Sequence, residues 1–242
     1  MPDVFKELQI TVYDVFGFLL PGSVVAAALV VGFWAVLWPA GTLLIPLKLP
    51  ALAVSYLLLI SYLCGHLAQA MSNIVERWSK SSTNFESRIP LSAPLEKILR
   101  ECTAKHFGAA AGELHAKELY LLCDQALVHN HSIGERDVFI YREGFYRGNS
   151  VALAFLAMSL GIRLFHSPAI VAIGQKIVEL HRSEIALASA FTALASWLAY
   201  RRYLRFREHK FQTCFVRFLS LWTPSPAAGG KGDAANERET TA

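Results

Sequence analysis

The sequence predicts an all-α, polytopic membrane protein with four transmembrane helices and a small cytoplasmic helical region. Two observations predict this class. Hydrophobic residues make up 54% of the 242 residues and charged residues only 17%, whereas about a quarter of the residues of a soluble domain are charged. The apolar residues also concentrate in four runs, at residues 16–38, 51–71, 150–165 and 184–200.

The first two runs are long enough to cross a bilayer, because about 20 apolar residues span the ~30 Å hydrocarbon layer. The third run is shorter and contains Arg163 near one end, where a long side chain reaches the interface at low cost. We expect its helix to extend backward through Phe145 and Tyr146. A buried hairpin of a soluble protein is the alternative, but two uncharged runs of this length are hard to cover in so small a chain.

The distribution of lysine and arginine predicts the side of the membrane on which each segment lies. Segment 73–147 holds ten such residues and segment 201–217 holds six, whereas the loop between the first two runs holds only Lys48. Basic residues accumulate on the cytoplasmic side. We therefore expect a multi-pass bacterial inner-membrane protein with both termini and segment 73–147 in the cytoplasm. A three-span arrangement would place the two basic segments on opposite sides.

Residues 1–15 are expected to form an interfacial segment that leads into the first span and is not part of a cleavable signal. The acidic residues in this stretch outnumber its single lysine, and the apolar run that follows is longer than that of a signal peptide. Thr11, with Asp14 three residues later, matches a capping box. We expect the opening to form a short amphipathic or interfacial helix that runs into the first span.

A hinge is predicted inside the first span, at Gly17, Pro21 and Gly22. Proline removes a backbone donor and disturbs the preceding turn, so we expect a kink or a break here. Residues 16–72 then form transmembrane helices 1 and 2, joined by an outer loop rich in proline.

The cytoplasmic region at 73–147 is predicted to be helical. A linker over 76–91 precedes a helix with apolar residues at Leu95, Ile98, Leu99 and Cys102, and a small-residue break at 108–112 leads to a second helix. Ser132 and Glu135 match another capping box, whose helix should run into span three. About 70 residues form a domain of only marginal stability, so we expect this region to pack against the cytoplasmic extension of span four.

Residues 148–204 hold transmembrane helices 3 and 4, and residues 205–222 continue as a cytoplasmic helix with mixed basic and aromatic residues. We interpret Arg201, Arg202, Arg205 and Arg207 as ligands of anionic lipid headgroups, because they begin within a turn of the bilayer. Nucleic-acid binding is the disfavoured alternative. Residues 223–242 consist mainly of proline, glycine, alanine and charged residues, and we expect them to be disordered.

Two polar positions are candidate functional residues. His66 ends the second span, where a histidine can relay protons or sense pH; a capping or interhelical hydrogen bond is the structural alternative. Asp14 lies at the mouth of the first span and is either a functional carboxylate or a residue that stabilises the start of a helix.

Small residues recur along the predicted spans with the spacing of closely packed membrane helices. The candidate packing positions are Ser61, Gly65, Gly161, Thr192 and Ser196. Packing within one chain explains most of this pattern, and self-association through one such face is the functional alternative.

We expect no catalytic residue, no cofactor and no metal centre. The sequence has no nucleophile elbow, phosphate loop, HExxH motif or paired catalytic carboxylates. Cys64 and His66 are two residues apart and so point away from each other on a helix. The four cysteines form no CxxC pair, which indicates reduced thiols rather than a disulfide framework or a zinc ribbon.

Two short strings carry a resemblance to a known group of proteins. They are Tyr13-Asp14-x-x-Gly17-x-x-x-Pro21-Gly22 and Tyr62-x-x-Gly65-His66. With the helical insert between spans two and three, the first 75 residues and the general layout resemble small uncharacterised four-span bacterial membrane proteins. Some of these lie beside antiphage or nucleotide-signalling genes. The resemblance implies a membrane effector that acts in oligomers, and it transfers no catalytic residue.

The leading hypothesis is a non-enzymatic, self-associating membrane effector. Its cytoplasmic helices would receive a signal or a protein partner, and its spans would alter membrane integrity or permeability. A scaffold that recruits a soluble partner to the cytoplasmic face is the second hypothesis. The third is an integral membrane enzyme that uses His66 and Asp14.

Overall fold

The structure of the chain is a computed structural model that describes residues 2–38, 41–46, 48–80, 89–130, 136–166 and 169–222. Side chains are described from Gly17 onward, apart from those of residues 76, 78–80 and 136–138. Of the residues that the structure describes, 82% are helical. The predicted tail at 223–242 and the capping box at Ser132 and Glu135 lie outside the described residues.

Six α-helices and three short strands follow one another along the described parts of the chain. In order they are α1 Pro2–Leu37, β1 Leu43–Ile45, α2 Ala51–Lys80, α3 Ala93–Phe107, a short 3-10 helix Ala109–Glu113, α4 Ala116–His129, α5 Arg136–Phe165, β2 Ala169–Ile173, β3 Lys176–Leu180 and α6 Arg182–Trp222.

The chain divides into two compact units. Unit 1 comprises Met1–Ser82 and Asp137–Arg207, and unit 2 comprises Thr83–Arg136 and Glu208–Ala242. Because the boundary falls inside α6, this one helix contributes residues to both units.

Within the described residues, three helical stretches are long and apolar enough to cross a membrane: Gly17–Leu37, Ala51–Val75 and Phe139–Phe165. The third begins well before residue 150, which confirms that its helix extends backward through Phe145 and Tyr146. The fourth predicted span is the first half of α6 and is not among the three. Only 16 residues separate Glu184 from Arg201, and many of them are alanine or serine.

α1 is one continuous helix that passes through Pro21. Of the expected kink or break, the break is therefore absent. The opening helix does run into the first span, but Thr11 lies inside α1 and does not cap its start. Proline is tolerated within membrane helices when neighbouring elements hold the surrounding backbone. Pro21 is among the fully buried side chains, which shows that such a neighbour is present.

A three-stranded sheet in unit 1 departs from the all-α prediction. β2 pairs in parallel with β1, with Leu43 opposite Val171, and antiparallel with β3, with Val171 opposite Val178. Gly174 has a φ of 59° in the tight connection between β2 and β3, as two-residue hairpins often require. The sheet joins the α1–α2 connection to the α5–α6 connection, so both lie at the same end of unit 1.

Unit 2 has a core built from α3, α4 and the last part of α6. The helices predicted on either side of a small-residue break are confirmed as α3 and α4, and Gly108, with φ 100°, caps the first of them. The first residues of the predicted linker at 76–91 are helical, because α2 continues to Lys80, and residues 81–88 lie outside the described part of the chain. The buried core consists of Ile89, Leu99, Ala116, Leu119, Tyr120, Cys123, Leu127, Phe211, Cys214, Phe215, Phe218 and Leu219.

The aromatic residues near the end of α6 are core residues of unit 2, not interfacial residues. Phe215 and Phe218 are both 0% exposed. Phe211, Phe215 and Phe218 recur at the helical spacing of four and three, so they share one apolar face. That face packs on α4, where the Phe211 and Tyr120 rings lie 4.4 Å apart.

Candidate functional site

The first site is a crossing of α1 and α2 at which backbone meets backbone. A Cβ atom added to Gly22 would overlap the Ser61 carbonyl oxygen and lie 2.6 Å from the Gly65 amide nitrogen. One added to Gly65 would overlap the Phe18 carbonyl oxygen. Small residues permit this close approach between membrane helices. Gly22 and Gly65, one from each of the strings that carry the resemblance, are therefore required at this contact.

An aromatic cluster of Phe18, Tyr62 and His66 lies beside this crossing. The His66 imidazole stacks on the Phe18 ring with centroids 4.2 Å apart, and the Tyr62 ring meets the imidazole edge-on at 4.6 Å. Each ring is placed by the crossing, because Phe18 is one turn from Gly22 and the other two residues flank Gly65. His66 is exposed.

The cluster orients an imidazole that has one donor and one acceptor nitrogen in its neutral form. Such a group can exchange a proton or form a hydrogen bond with a neighbour at the end of a span. The contacts with Phe18 and Tyr62 thus fix the position of the His66 ring. The Asp14 residue lies in α1, and its side chain is outside the described part of the chain.

The hinge and packing candidates divide into contact residues and residues without a close neighbour. A Cβ added to Gly17 would meet nothing within 4 Å, and one added to Gly161 would only reach the Ser189 hydroxyl at 4.0 Å. The Thr192 hydroxyl donates to the Ala188 carbonyl of its own helix at 2.7 Å. The backbone at Gly17 and Gly161 and the hydroxyl of Thr192 therefore make no tight contact with a neighbouring helix.

Serine hydroxyls join α5 to α6 across their lengths. Ser196 donates to the Ser150 carbonyl at 2.7 Å, and Ser189 donates to the Ala157 carbonyl at 3.0 Å. The residue numbers rise along α6 as they fall along α5, so the two helices run antiparallel. Ser189 was not among the predicted packing positions.

A glutamine that was not among the predicted packing positions joins α2 to α5. The Gln69 side-chain amide donates to the Gly144 carbonyl at 2.9 Å. A Cβ added to Gly148 would come within 2.5 Å of the same amide nitrogen. The spacing of Gly144 and Gly148 was the available signal, since two glycines four residues apart on a helix form a flat contact surface.

Arg163 is a buried guanidinium at the end of α5 that precedes the sheet. It is 1% exposed and lies over the Trp34 ring, 4.0 Å from its centroid. The Trp34 indole in turn donates to the Gly41 carbonyl at 2.8 Å. Ionisable residues inside membrane helices are rare and mark functional positions. From the sequence, Arg163 was only a charge near the end of a short span, whereas in the structure it has an aromatic partner.

The four arginines assigned to lipid headgroups occupy different environments. Arg201 lies over the Trp197 ring at 5.6 Å, and Arg202 lies near both Tyr146 and Phe206. Arg205 is exposed. Arg207 is 7% exposed and donates to the Tyr203 hydroxyl at 3.3 Å, so its guanidinium is not presented at a surface as the other three are.

A groove in unit 1 runs between α2, α5 and α6. Its volume is about 480 Å³ and it is open on one side. The lining residues include Met71, Val75, Ala154, Met158, Ala193 and Trp197. Its two serines are already hydrogen-bonded to backbone carbonyls: Ser196 bonds to Ser150, and the Ser150 hydroxyl donates to the Arg147 carbonyl at 2.8 Å. The surface offered to an occupant is consequently apolar.

Comparison with known proteins adds no relative: no family model, curated protein or solved structure matches the chain. The resemblance to four-span bacterial membrane proteins stays a prediction. Within the described residues, no three His, Cys, Asp or Glu side chains come together in a group that could hold a metal ion.

Proposed function

We propose that the protein is a four-span inner-membrane effector that passes a cytoplasmic signal to its membrane helices. The antiparallel hydrogen bonds between α5 and α6 support the fourth span. If α5 crosses the bilayer, α6 follows it back across over the same depth, from Ser189 to Ser196 at least. The 16 residues between Glu184 and Arg201 extend over about 24 Å of helix, and flanking side chains that reach the interface cover the remainder.

The sheet supports the proposed orientation. β1 follows the first span and β2 follows the third, and the pairing of the two strands supports an arrangement with both connections on one side of the membrane. Those connections are poor in lysine and arginine, whereas segments 73–147 and 201–217 are rich in them. The sheet is then outside, and unit 2 and both termini are cytoplasmic.

The main support for the effector proposal is that the single helix α6 contributes residues to both units. Its first half hydrogen-bonds to α5 through Ser189 and Ser196, and its second half supplies Phe211, Phe215 and Phe218 to the core of unit 2. A partner that changes the packing of unit 2 acts on the same helix that forms the fourth span. The conformational change can therefore reach the bilayer through one continuous element.

Self-association is the second part of the proposal, and we place it on the outward face of α6. The small residues Gly22, Ser61 and Gly65 are already used inside the chain. Large apolar residues recur on α6 at spacings of four, three and four, which is typical of paired helices. They are Leu187, Phe191, Leu194 and Leu198, which are 72%, 72%, 50% and 52% exposed.

Forced association in vesicles tests the effector proposal. The full chain, fused after its last residue to a chemically induced dimerising domain, is reconstituted into vesicles loaded with a self-quenched dye. Adding the dimeriser should release the dye. A matched variant with Gly-Gly-Ser inserted between Arg207 and Glu208 should still dimerise, yet release far less dye.

Two outcomes contradict the effector proposal. Vesicles that stay intact while crosslinking shows the fused chains to be paired would exclude a permeability change driven by association. Equal leakage from the wild-type and inserted chains would exclude α6 as the connecting element.

A membrane scaffold is the second candidate function, because unit 2 carries large apolar side chains on its surface. Leu95 and Ile98 on α3 are each 40% exposed, and Leu121 on α4 is 50% exposed. Leu95 and Ile98 lie one turn apart and form one patch. Replacing both with glutamate in the full chain should abolish capture of a cytoplasmic partner and leave vesicle leakage unchanged if the scaffold function is correct.

A further inference from the structure

The groove between α2, α5 and α6 is an apolar surface that the chain itself leaves open. Met71 and Met158 on its walls are 41% and 56% exposed. Its serine hydroxyls at Ser150 and Ser196 donate to backbone carbonyls within the protein. The other polar side chains of the lining, Trp197 and Tyr200, are aromatic, so the surface offered to a ligand is mostly apolar. A hydrocarbon chain suits such a surface, because each methylene buried contributes about 0.8 kcal/mol.

The length and level of the groove match part of a lipid chain. Between Ser150 and Met158 the groove follows α5, and eight residues of helix rise about 12 Å. That distance is a little under half of the ~30 Å hydrocarbon layer. Trp197 and Tyr200 line the groove near the end of the fourth span, at the level where such residues meet the headgroups.

A fixed positive charge lies at this end of the groove. The Arg201 guanidinium is 5.6 Å from the centroid of the Trp197 ring, which is itself part of the lining. A chain seated along the groove with its glycerol end towards Tyr200 would bring its phosphate to Arg201. Charge complementarity therefore favours a lipid with net negative charge over a zwitterionic one.

We infer that the groove binds one acyl chain of an anionic phospholipid from the cytoplasmic leaflet, with Arg201 holding the headgroup. The inference rests on the proposed four-span arrangement and adds a specific ligand to it. A bound anionic lipid would join α2, α5 and α6 on their open side.

Native mass spectrometry of the full-length protein in detergent tests the inference. The probes are phosphatidylglycerol and phosphatidylcholine with identical acyl chains, titrated separately. We expect the wild-type protein to bind phosphatidylglycerol about fivefold more tightly, the preference expected from one basic residue near an anionic surface. Arg201→Gln should bring the two affinities together, whereas Arg205→Gln, at an exposed arginine one turn further on, should retain most of the preference.

Filling the groove separates a chain-binding site from simple charge attraction. Ala154→Trp should lower the affinity for both lipids at least tenfold. Ala27→Trp, at an exposed alanine of α1 outside the groove, should leave both affinities unchanged. A wild-type protein that binds the two lipids equally, or an Ala154→Trp protein that binds both as before, would overturn the inference.

A second copy of the chain is the competing occupant. If Ala154→Trp turns a dimer into a monomer and leaves the number of bound lipids unchanged, the groove is a protein interface and the lipid inference is wrong. This result would leave the proposal of a membrane protein unchanged. That proposal would instead fail if the purified chain stayed monodisperse in buffer without detergent.

Discussion

At Gly22 and Gly65 the absence of a side chain decides how closely two helices approach. The carbonyl oxygens of Ser61 and Phe18 occupy the positions that Cβ atoms would take. The contact involves backbone atoms on both sides, so no rotamer change can relieve an added methyl group. The positions of Phe18, Tyr62 and His66 depend on this contact.

Gly22→Ala should destabilise the protein, because the added methyl group must push α1 away from α2. We expect a loss of roughly 1–3 kcal/mol, as is usual for overpacking, and a lower midpoint of thermal unfolding in detergent. Gly17→Ala is the matched control, since nothing lies within 4 Å of its added Cβ. Equal midpoints for the two variants would contradict the close crossing.

The buried thiol of Cys123 gives unit 2 a pH dependence of known sign. Burial, followed by the neighbouring Cys102 and Asp124, raises the pKa of Cys123 from 9.0 to about 12. Between these values the unfolded chain loses the proton while the folded chain keeps it. The contribution of this thiol to stability is thus fully present below pH 9 and is lost towards pH 12, by about 1.4 kcal/mol per pH unit.

Comparison of wild type with Cys123→Ala isolates this effect. The variant is less stable at pH 7.5 because it leaves a cavity, and the difference in unfolding free energy should narrow as the pH rises above 9. Leu127→Ala, which removes a buried apolar side chain from the same core, should show a difference that does not change with pH. Denaturant unfolding at pH 7.5 and 10 provides the measurement.

At the scale of single elements, the long helices were predictable and the sheet was not. The backward extension of span three into α5 followed from continuous helix-forming sequence up to Phe145 and Tyr146. The strands were missed because β1 has only three residues and its partner β2 is more than 120 residues away. Such short strands are decided by tertiary pairing rather than by local preference.

Among contacts between residues, too, those that follow from local spacing were predictable and those between distant segments were not. The i, i+4 spacing of small residues predicted packing at Ser61, Gly65 and Ser196, and the structure has all three at helix contacts. It could not distinguish them from Thr192, whose hydroxyl turns back to its own helix. The pairing of Arg163 with Trp34 joins α5 to α1, and no local pattern could reveal it.

The outward stripe of α6 leads to a prediction about self-association. Phe191→Ala combined with Leu194→Ala should reduce the dimer fraction in lipid bilayers, because the two large side chains at the proposed contact are lost. Leu58→Ala combined with Leu59→Ala removes similarly exposed apolar side chains from α2 and serves as the control. Single-molecule photobleaching counts the subunits. A dimer fraction that falls equally in both double variants would show that α6 is not the interface.

At the scale of the whole molecule, unit 2 is assembled from two distant pieces of sequence. Its first piece carries α3 and α4, and its second piece is the end of α6. The charge pattern predicts that segment 73–147 is cytoplasmic, and its length of about 70 residues indicates a domain that is only marginally stable alone. The sequence pattern could not show which face of α6 completes the core of unit 2.

Adjacent residues on α6 test this assignment. Phe215→Ala should destabilise unit 2 by about 3–5 kcal/mol, because a fully buried aromatic ring is removed. Val216→Ala, at a 50% exposed position, should change stability by less than about 0.5 kcal/mol. Limited proteolysis of inverted membrane vesicles should cleave the segment around Glu113 faster in the first variant only.

The divided core of unit 2 also constrains the order of events during biosynthesis. α3 and α4 leave the ribosome long before Phe211, Phe215 and Phe218 are translated, although domains ordinarily fold as they emerge. The nascent segment therefore keeps Leu99 and Leu119 uncovered until the end of α6 has been translated. A chain that terminates before Phe211 cannot complete this core, so unit 2 cannot finish folding until nearly the whole described chain has been made.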